Sequence, residues 1–498
     1  MTLKEHLARF YAQYRVNQIN SIVLHPRFHQ EKLLTKLITQ GQITAFGKEH
    51  HFQDIKSYND FKNAVPIRDY EGLKKYIDRA YEGEPDILWK NKPIYFATTS
   101  GTTSGTKYIP LTKESIPNQI KGARDALLMY IHETKKSGFL NGKMIFLSGS
   151  PQLDKNPAGI ATGRLSGIAQ HFVPRYLQKN RMPSYSTNCI EDWEQKLSAI
   201  VNETKDADMR LISGIPPWVQ MYLERLQQVT GKKPSQQWQN LQLYVQGGVD
   251  YSPYKPIIEQ VVGKKIDAVE VYPASEGFIA VQNTQTDDSL LLMLDYGIFF
   301  ELIPMEEYDK EKPTRLPLWE VELNKQYAII LTTNAGLWGY DIGDTVRFTS
   351  LKPYKIKVTG RTKHFISAFG EHIIQEEVNQ AITAATNATN ATIIDFTVAP
   401  SIAKNNQSFH EWFIEFQQVP NNLEQFITVL DNSLRSQNHY YDDLRTGNML
   451  LSPVIQPLAP DAVREYMKSI GKLGGQNKFP RLSNNRNIVD KLNVLIMK

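Results

Sequence analysis

Leu3, Leu7, Phe10 and Tyr14 recur at helical spacing, so the chain is predicted to open on an amphipathic helix. Charged, helix-favouring segments continue to about Trp89, with a break at Pro66. The apolar run Pro93-Ile94-Tyr95-Phe96-Ala97 reads as a strand. Tyr108-Ile109-Pro110-Leu111 carries the chain away from the polar stretch that follows it. Helical spacing returns from Lys113 to Tyr130 after an irregular start at Pro117, and Lys143–Leu147 reads as a buried strand. A helix is expected over Ile190–Val201 and a short strand over Arg210–Ile212, ending at Gly214. Pro216-Pro217-Trp218 starts the next helix, where proline is tolerated, and Leu241–Gln246 forms a strand closed by Gly247-Gly248. Strands alternating with helices in this way predict an α/β layer with a largely parallel sheet.

The pattern changes at Lys265. Ile266–Tyr272 is a strand, and Leu290–Leu294 and Ile298–Leu302 flank Asp295-Tyr296-Gly297 as a predicted hairpin. Tyr327–Thr332, Thr345–Phe348 and Lys355–Val358 add strands at short spacing. Beyond Gly360-Arg361-Thr362-Lys363, a helix is expected near Gln375–Ala385, strands over Ala391–Val398 and Glu411–Gln417, and a helix over Leu423–Leu434. The Asn-rich Asn387–Thr392 is expected to be a loop. The predicted class is α/β. A large N-terminal domain over 1–360 would hold mostly parallel sheets and a β-rich subdomain at about 265–360. A small C-terminal α+β domain would cover 361–498.

Composition narrows the class. At 498 residues, 41% hydrophobic and 22% charged, the chain fits a soluble globular protein of more than one domain. Its single cysteine, Cys189, excludes an intrachain disulfide framework and fits a reducing compartment. Charges interrupt the N-terminus where a signal peptide would be apolar, and no apolar run approaches bilayer length. A cytoplasmic monomer with no membrane partner is expected. From Lys472 to Lys498 six basic residues face one acid, Asp490. That tail lacks a dense Lys/Arg run, so a phosphate ligand suits it as well as nucleic acid, and no nucleic-acid partner is expected.

Five stretches carry candidate chemistry. Thr98–Lys107 (TTSGTTSGTK) is rich in hydroxyls and glycine with one lysine. Its backbone N–H groups could cradle a polyphosphate, or it could be a flexible surface loop. It is not the G-x-x-x-x-G-K-[ST] loop, because Gly101 and Gly105 stand too close together. Val271–Gly277 (VYPASEG) ends a strand with a serine and a carboxylate that could serve Mg²⁺ beside phosphate. Tyr340–Asp344 (YDIGD) offers a carboxylate of the kind that accepts two bonds from a ribose. Gly360–Glu371 sets Arg361 at the predicted domain boundary, and Leu473–Arg481 presents Lys478 from a glycine-rich loop. Each alone has a plainer reading, as a surface loop, a turn between strands, a solvated basic turn or a disordered tail.

Together and in this order, the stretches resemble the adenylate-forming superfamily of acyl-CoA synthetases and luciferases. Within it they are most similar to the acyl-acid amido synthetases, the auxin-responsive family first named from plants, in a bacterial-like form. The likeness runs from about Tyr95 to Arg481. It implies ATP and Mg²⁺, a small carboxylic acid, and an amino acid whose amine receives the acyl group. It further implies that Ser100, Gly101, Thr102 and Thr103 hold phosphates with Lys107 nearby. Ser275 would touch the α-phosphate, Glu276 would hold the metal, and Tyr272 and Gly248 would border adenine. Asp344 and Arg361 would hold the ribose. Lys478 would neutralise charge during adenylation, Lys363 would be the hinge on which the small domain rotates, and Arg124 would meet the acyl carboxylate. Pro273 and Asp341 depart from the family pattern, as does the segment Lys121-Gly122-Ala123-Arg124. An acyl- or aryl-CoA ligase and a non-catalytic nucleotide-binding protein are the alternatives.

Overall fold

The opening helix forms over Leu3–Val23, started by a capping box between Thr2 and Glu5. Its buried face differs from the expected one. Ala12, Val16 and Ile19 are covered, whereas Leu3, Leu7, Phe10 and Tyr14 are 76, 61, 77 and 55% exposed. Arg15 sets this rotation. Its guanidinium lies 2.7 Å from Asp125 and 2.8 Å from Asp295, so the helix turns its charged residue inward. Asp125 belongs to the Ile116–Thr134 helix, which packs so closely on the sheet that a Cβ on Gly122 would lie 2.3 Å from the Phe278 ring.

The computed structural model describes all residues except 1, 101–105, 173–177, 191, 249–250, 252–253, 363–364, 367, 370, 372, 403–407, 447–448, 474–477 and 498. The chain divides into two units, Met1–Gly248 with Val261–Lys357, and Val249–Gln260 with Val358–Lys498.

In the first unit, β1 (Tyr95–Ser100) and β2 (Thr106–Leu111) form a hairpin that β5 (Ala161–Gly163) and β4 (Asp154–Lys155) extend in the order β2-β1-β5-β4. A second sheet has twelve strands. Its parallel part comprises β3 (Lys143–Phe146), β6 (Arg181–Met182), β7 (Met209–Ser213), β8 (Leu243–Gly247) and β9 (Asp267–Ala274), in the order β9-β8-β7-β3-β6. The sheet continues through β10 (Gly277–Gln282), β11 (Leu290–Leu292), β12 (Ile298–Pro304), β13 (Leu316–Pro317), β14 (Gln326–Thr333), β15 (Tyr340–Leu351) and β16 (Tyr354–Arg361). The predicted hairpin around Asp295-Tyr296-Gly297 does not form. β11 pairs with β10 and β16, while β12 pairs with β13 and β14. Both strands are buried along their whole length, so each completes the sheet with different neighbours. The intervening turn instead directs Asp295 to Arg15 and Lys121.

In the second unit β17 (Phe365–Ile366) pairs with β18 (Ile373–Ile374), and β19 (Thr392–Ile402), β20 (Ser408–Gln418) and β21 (Val454–Pro457) make a three-stranded sheet. The Gln375–Thr389 and Leu423–Gln437 helices share a core with it through Val378, Ile382, Phe396, Trp412, Phe426 and Leu430. The Asn387–Thr392 stretch is not an open loop. The helix runs to Thr389, Asn390 closes it at φ 52°, and β19 starts at Thr392.

Candidate active site

The site is built where the parallel strands of the first unit run out. Gly247 pairs with Val271, so Gly248, with φ 86°, comes off β8 beside Tyr272 on β9. β9 then turns through Ser275-Glu276 into β10, with Gly277 opposite Ala274. Gln119 of the Ile116–Thr134 helix fixes this turn by donating its amide to the Ala274 carbonyl at 2.9 Å. Ligands of open α/β sheets bind outside these carboxyl ends, where backbone polar groups lack strand partners.

The fourth side of the cluster comes from β15. Its pairing with β14 shifts register between Ala328 and Ile330, and Gly343 takes φ 77°, so the strand bulges across Asp341–Asp344. Asp341 holds the bulge, accepting from the Gly343 amide at 2.7 Å and the Tyr308 hydroxyl at 2.5 Å. Asp341 is therefore structural, while the bulge turns Asp344 towards β9, where it accepts from the Tyr272 hydroxyl at 2.5 Å. Tyr340 is buried beneath. Desolvation, and then the nearby Glu276 carboxylate, push its phenol well above the ordinary range.

The β1–β2 stem is placed by Tyr70. The Tyr70 hydroxyl accepts from the Tyr108 amide at 3.0 Å, and the Lys107 ammonium lies 5.4 Å from the Tyr70 ring. Ser100 ends β1 opposite Thr106. Gly101, Thr102 and Thr103 lie outside the described residues, as does Lys363. Arg361 ends β16 and is exposed, and Lys478 is exposed in the second unit.

Thus the first unit brings together Gly248, Tyr272, Ser275, Glu276 and Asp344. The Arg124 guanidinium bonds the adjacent Asp125 at 2.9 Å and lies 5.8 Å from the Tyr11 ring. Lys121 is likewise engaged, 2.6 Å from Asp295. Sequence reading missed Gln119, Tyr70 and Tyr308, whose partners stand far off along the chain, so no local motif announces them. Among the described residues no group of three His, Cys, Asp or Glu side chains could cage a metal. A turn with one carboxylate, Glu276, suits Mg²⁺ that arrives on phosphate oxygens, since that ion commonly takes only one or two protein carboxylates.

Comparisons place this architecture. The fold matches the solved structure of GH3.15 acyl acid amido synthetase with a TM-score of 0.77 at 18% identity, covering 94% of this chain and 93% of that one. It also matches 2-hydroxyisobutyryl-CoA ligase in the postadenylation state, with a TM-score of 0.63 at 14% identity over 93% and 90% of the two chains. The class is thus the fold shared by an amido synthetase and an acyl-CoA ligase. Family profiles give a narrower answer: the GH3 family N-terminal domain matches residues 15–180, the central domain 291–361 and the C-terminal domain 376–487. Together they span more than half of the chain, which belongs to the GH3 family. Among curated relatives it is 22% identical to indole-3-acetic acid-amido synthetase GH3.3 of Arabidopsis thaliana, over 91% of this chain and 89% of that protein. It is 24% identical to jasmonoyl–L-amino acid synthetase JAR4 of Nicotiana attenuata, over 64% and 66%.

Proposed function

We propose that this protein is an ATP-dependent, AMP-forming ligase that joins a carboxylic acid to the amine of an amino acid. Family membership supports the reaction class. The observation that carries the site is the Tyr272–Asp344 hydrogen bond, which clamps the end of β9 to the β15 bulge beside Ser275 and Glu276. A carboxylate is a poor acyl donor because its leaving group would be oxide. In the first step its oxygen attacks the α-phosphorus of ATP, the bond to the β-phosphate oxygen breaks, and pyrophosphate leaves. In the second the amine attacks the acyl carbon, AMP leaves, and the amine proton passes to solvent.

The protein's contribution is positioning and charge stabilisation. Gly248 and Tyr272 border the adenine, Asp344 and Arg361 take the ribose hydroxyls, and Ser275 donates to the α-phosphate. Ser100, Gly101, Thr102, Thr103 and Lys107 hold the remaining phosphates. Glu276 holds Mg²⁺, which offsets phosphate charge when bound. Lys478 neutralises the charge that develops as the acid attacks, and Lys363 is the hinge residue.

Acid-dependent exchange of labelled pyrophosphate into ATP tests the first step. Exchange that requires one class of acid supports the reading, and its absence with every acid offered, from folded protein, overturns it. The likeness to an acyl-CoA ligase favours CoA as the other acceptor. Weighing the product formed with amino acids against that formed with CoA decides between them.

A further inference from the structure

The parallel sheet presents a second group of chemistry along the same carboxyl edge. Phe146 pairs with Ser213, Ser213 with Val245, and Val245 with Val269. Ser148, two residues past the end of β3, therefore leaves the sheet at the edge where Gly247 and Val271 end their strands' pairing. β3 is two strands from β8, which puts Ser148 roughly 10 Å along the edge from Gly247.

Three cations lie near this strand end. Lys196, from the Trp193–Thr204 helix, is 4% exposed, and its ammonium donates to the Asn188 carbonyl at 2.6 Å and the Ser148 carbonyl at 3.3 Å. Arg164 packs over Gly149 so closely that a Cβ there would lie 2.7 Å from its Cδ. Arg181, on β6, places its guanidinium 5.7 Å from the Phe146 ring centroid. Ser148 stands among them, its hydroxyl accepting from Gln170 at 2.5 Å and Asn188 at 3.4 Å.

These cations have no carboxylate partner among the described residues. Elsewhere the fully buried arginines are paired: Arg15 with Asp125 and Asp295, Arg315 with Glu301, and Arg481 with Asp395. The half-buried Arg68 bonds His50, whereas Arg164 and Arg181 are half-buried with no such partner among the described residues. Desolvation lowers the pKa of Arg164 and Arg181, and holds Lys196 down to about 8. The Lys196 ammonium is explained structurally, because it ties two backbone carbonyls together. Among the described residues Arg164 and Arg181 tie no carbonyls in this way, although Arg181 packs over the Phe146 ring. Like charges gathered out of water without a counter-charge are costly, and such costs are found where a ligand supplies the missing sign.

We propose that Arg164 and Arg181, with the Lys196 charge nearby, hold a second carboxylate of the acid substrate, making this a ligase for dicarboxylic acids. The inference rests on the adenylation reading, which puts the reacting carboxylate at the β8–β9 end of the same edge. The roughly 10 Å between the two strand ends then sets the separation of the substrate's two carboxylates.

Calorimetric titration of the full chain, without ATP, with linear dicarboxylates of increasing length and matched monocarboxylates tests the site. A dicarboxylate of fitting length is expected to bind about tenfold or more tightly than its monocarboxylate, worth one charged hydrogen-bonded contact. Arg164→Gln and Arg181→Gln should each collapse that ratio. Arg210→Gln, whose cation already pairs with Asp208, should keep it. Circular dichroism of each variant separates loss of the site from loss of the fold. Equal binding of both classes by the parent protein, or a ratio unchanged in both arginine variants, overturns the proposal. Pyrophosphate exchange driven only by monocarboxylates overturns the site and upholds adenylation. A dicarboxylate preference in binding without exchange from any acid upholds the site and overturns adenylation.

Discussion

Two groups of charges in the first unit are built on opposite plans. At the junction of the opening helix with the Ile116–Thr134 helix, Arg15 and Lys121 meet Asp125 and Asp295, and Tyr296 donates to Asp125 at 2.8 Å. Burial opposes the Arg15 charge, but its hydrogen bonds to the two carboxylates outweigh burial and raise its pKa. Every cation there has a carboxylate partner, Arg124 included at 2.9 Å from Asp125, so the node has no electrostatic need of a ligand. Around the end of β3, by contrast, Arg164, Arg181 and Lys196 gather with no acid among the described residues. Charges that hold a fold together close on one another, whereas charges that serve a ligand are left for the ligand to complete. The β9–β15 cluster lies between these extremes, with Asp341 closed on its own bulge and Asp344 turned to the edge.

The largest effect should come from opening the balanced node. Asp125→Ala leaves Arg15 buried beside a single remaining carboxylate and should destabilise the first unit by about 3–5 kcal/mol, read from its urea unfolding transition. A loss below about 1 kcal/mol would place the node outside the supports of the fold. Next come the groups assigned to the reaction. Glu276→Ala and Lys478→Ala should each lower the pyrophosphate exchange rate by about 10²–10³ with the fold intact. Unchanged exchange in both would remove them from the site.

A half-buried carboxylate in the second unit sharpens the comparison from the other sign. Among the described residues Glu377 has no cation partner. Burial pushes its pKa up to about 7, although the Ile374 amide at 3.0 Å and Asn438 at 3.1 Å donate to it. With the folded value above the unfolded 4.5, the folded state holds the extra proton between those values. Its stabilising contribution is therefore full below about pH 4.5 and is lost as pH rises through about 7. Glu377→Gln should remove that part of the pH dependence, about 3 kcal/mol, from melting curves across this window. A profile identical to the parent's would show the carboxylate to be ionised throughout. The smallest effect belongs to Tyr272→Phe. Loss of its bond to Asp344 should raise KM for ATP about fivefold and leave the melting temperature nearly unchanged, and an unaltered KM would separate this clamp from nucleotide binding.

Much of the fold was legible in local patterns. Apolar runs such as Lys143–Leu147 and Leu241–Gln246 became β3 and β8, and Pro216 does start a helix. What local pattern could not supply was partnership. Leu290–Leu292 and Ile298–Pro304 are strands, as their composition requires, but residues apolar on both faces carry no signal for which neighbour to choose. The opening helix failed in the same way. Its Leu3-Leu7-Phe10-Tyr14 stripe is periodic, yet the face turned inward is the one bearing Arg15, because two carboxylates more than a hundred residues away offset its desolvation.

By itself, then, the amino-acid order determined the α/β class and the sequence of glycine, serine and acidic stretches by which the family is recognised. Both follow from short-range chemistry: backbone preference, hydrophobic period and the residue types that phosphate and ribose demand. Only the tertiary structure decided which of those side chains meet. The bulge that turns Asp344 to Tyr272, the pairing of Arg15 with Asp125 and Asp295, and the charge of Arg164 and Arg181, unanswered among the described residues, depend on how distant segments meet. Desolvation and pairing are set by what surrounds a group in space, and no spacing along the chain encodes them.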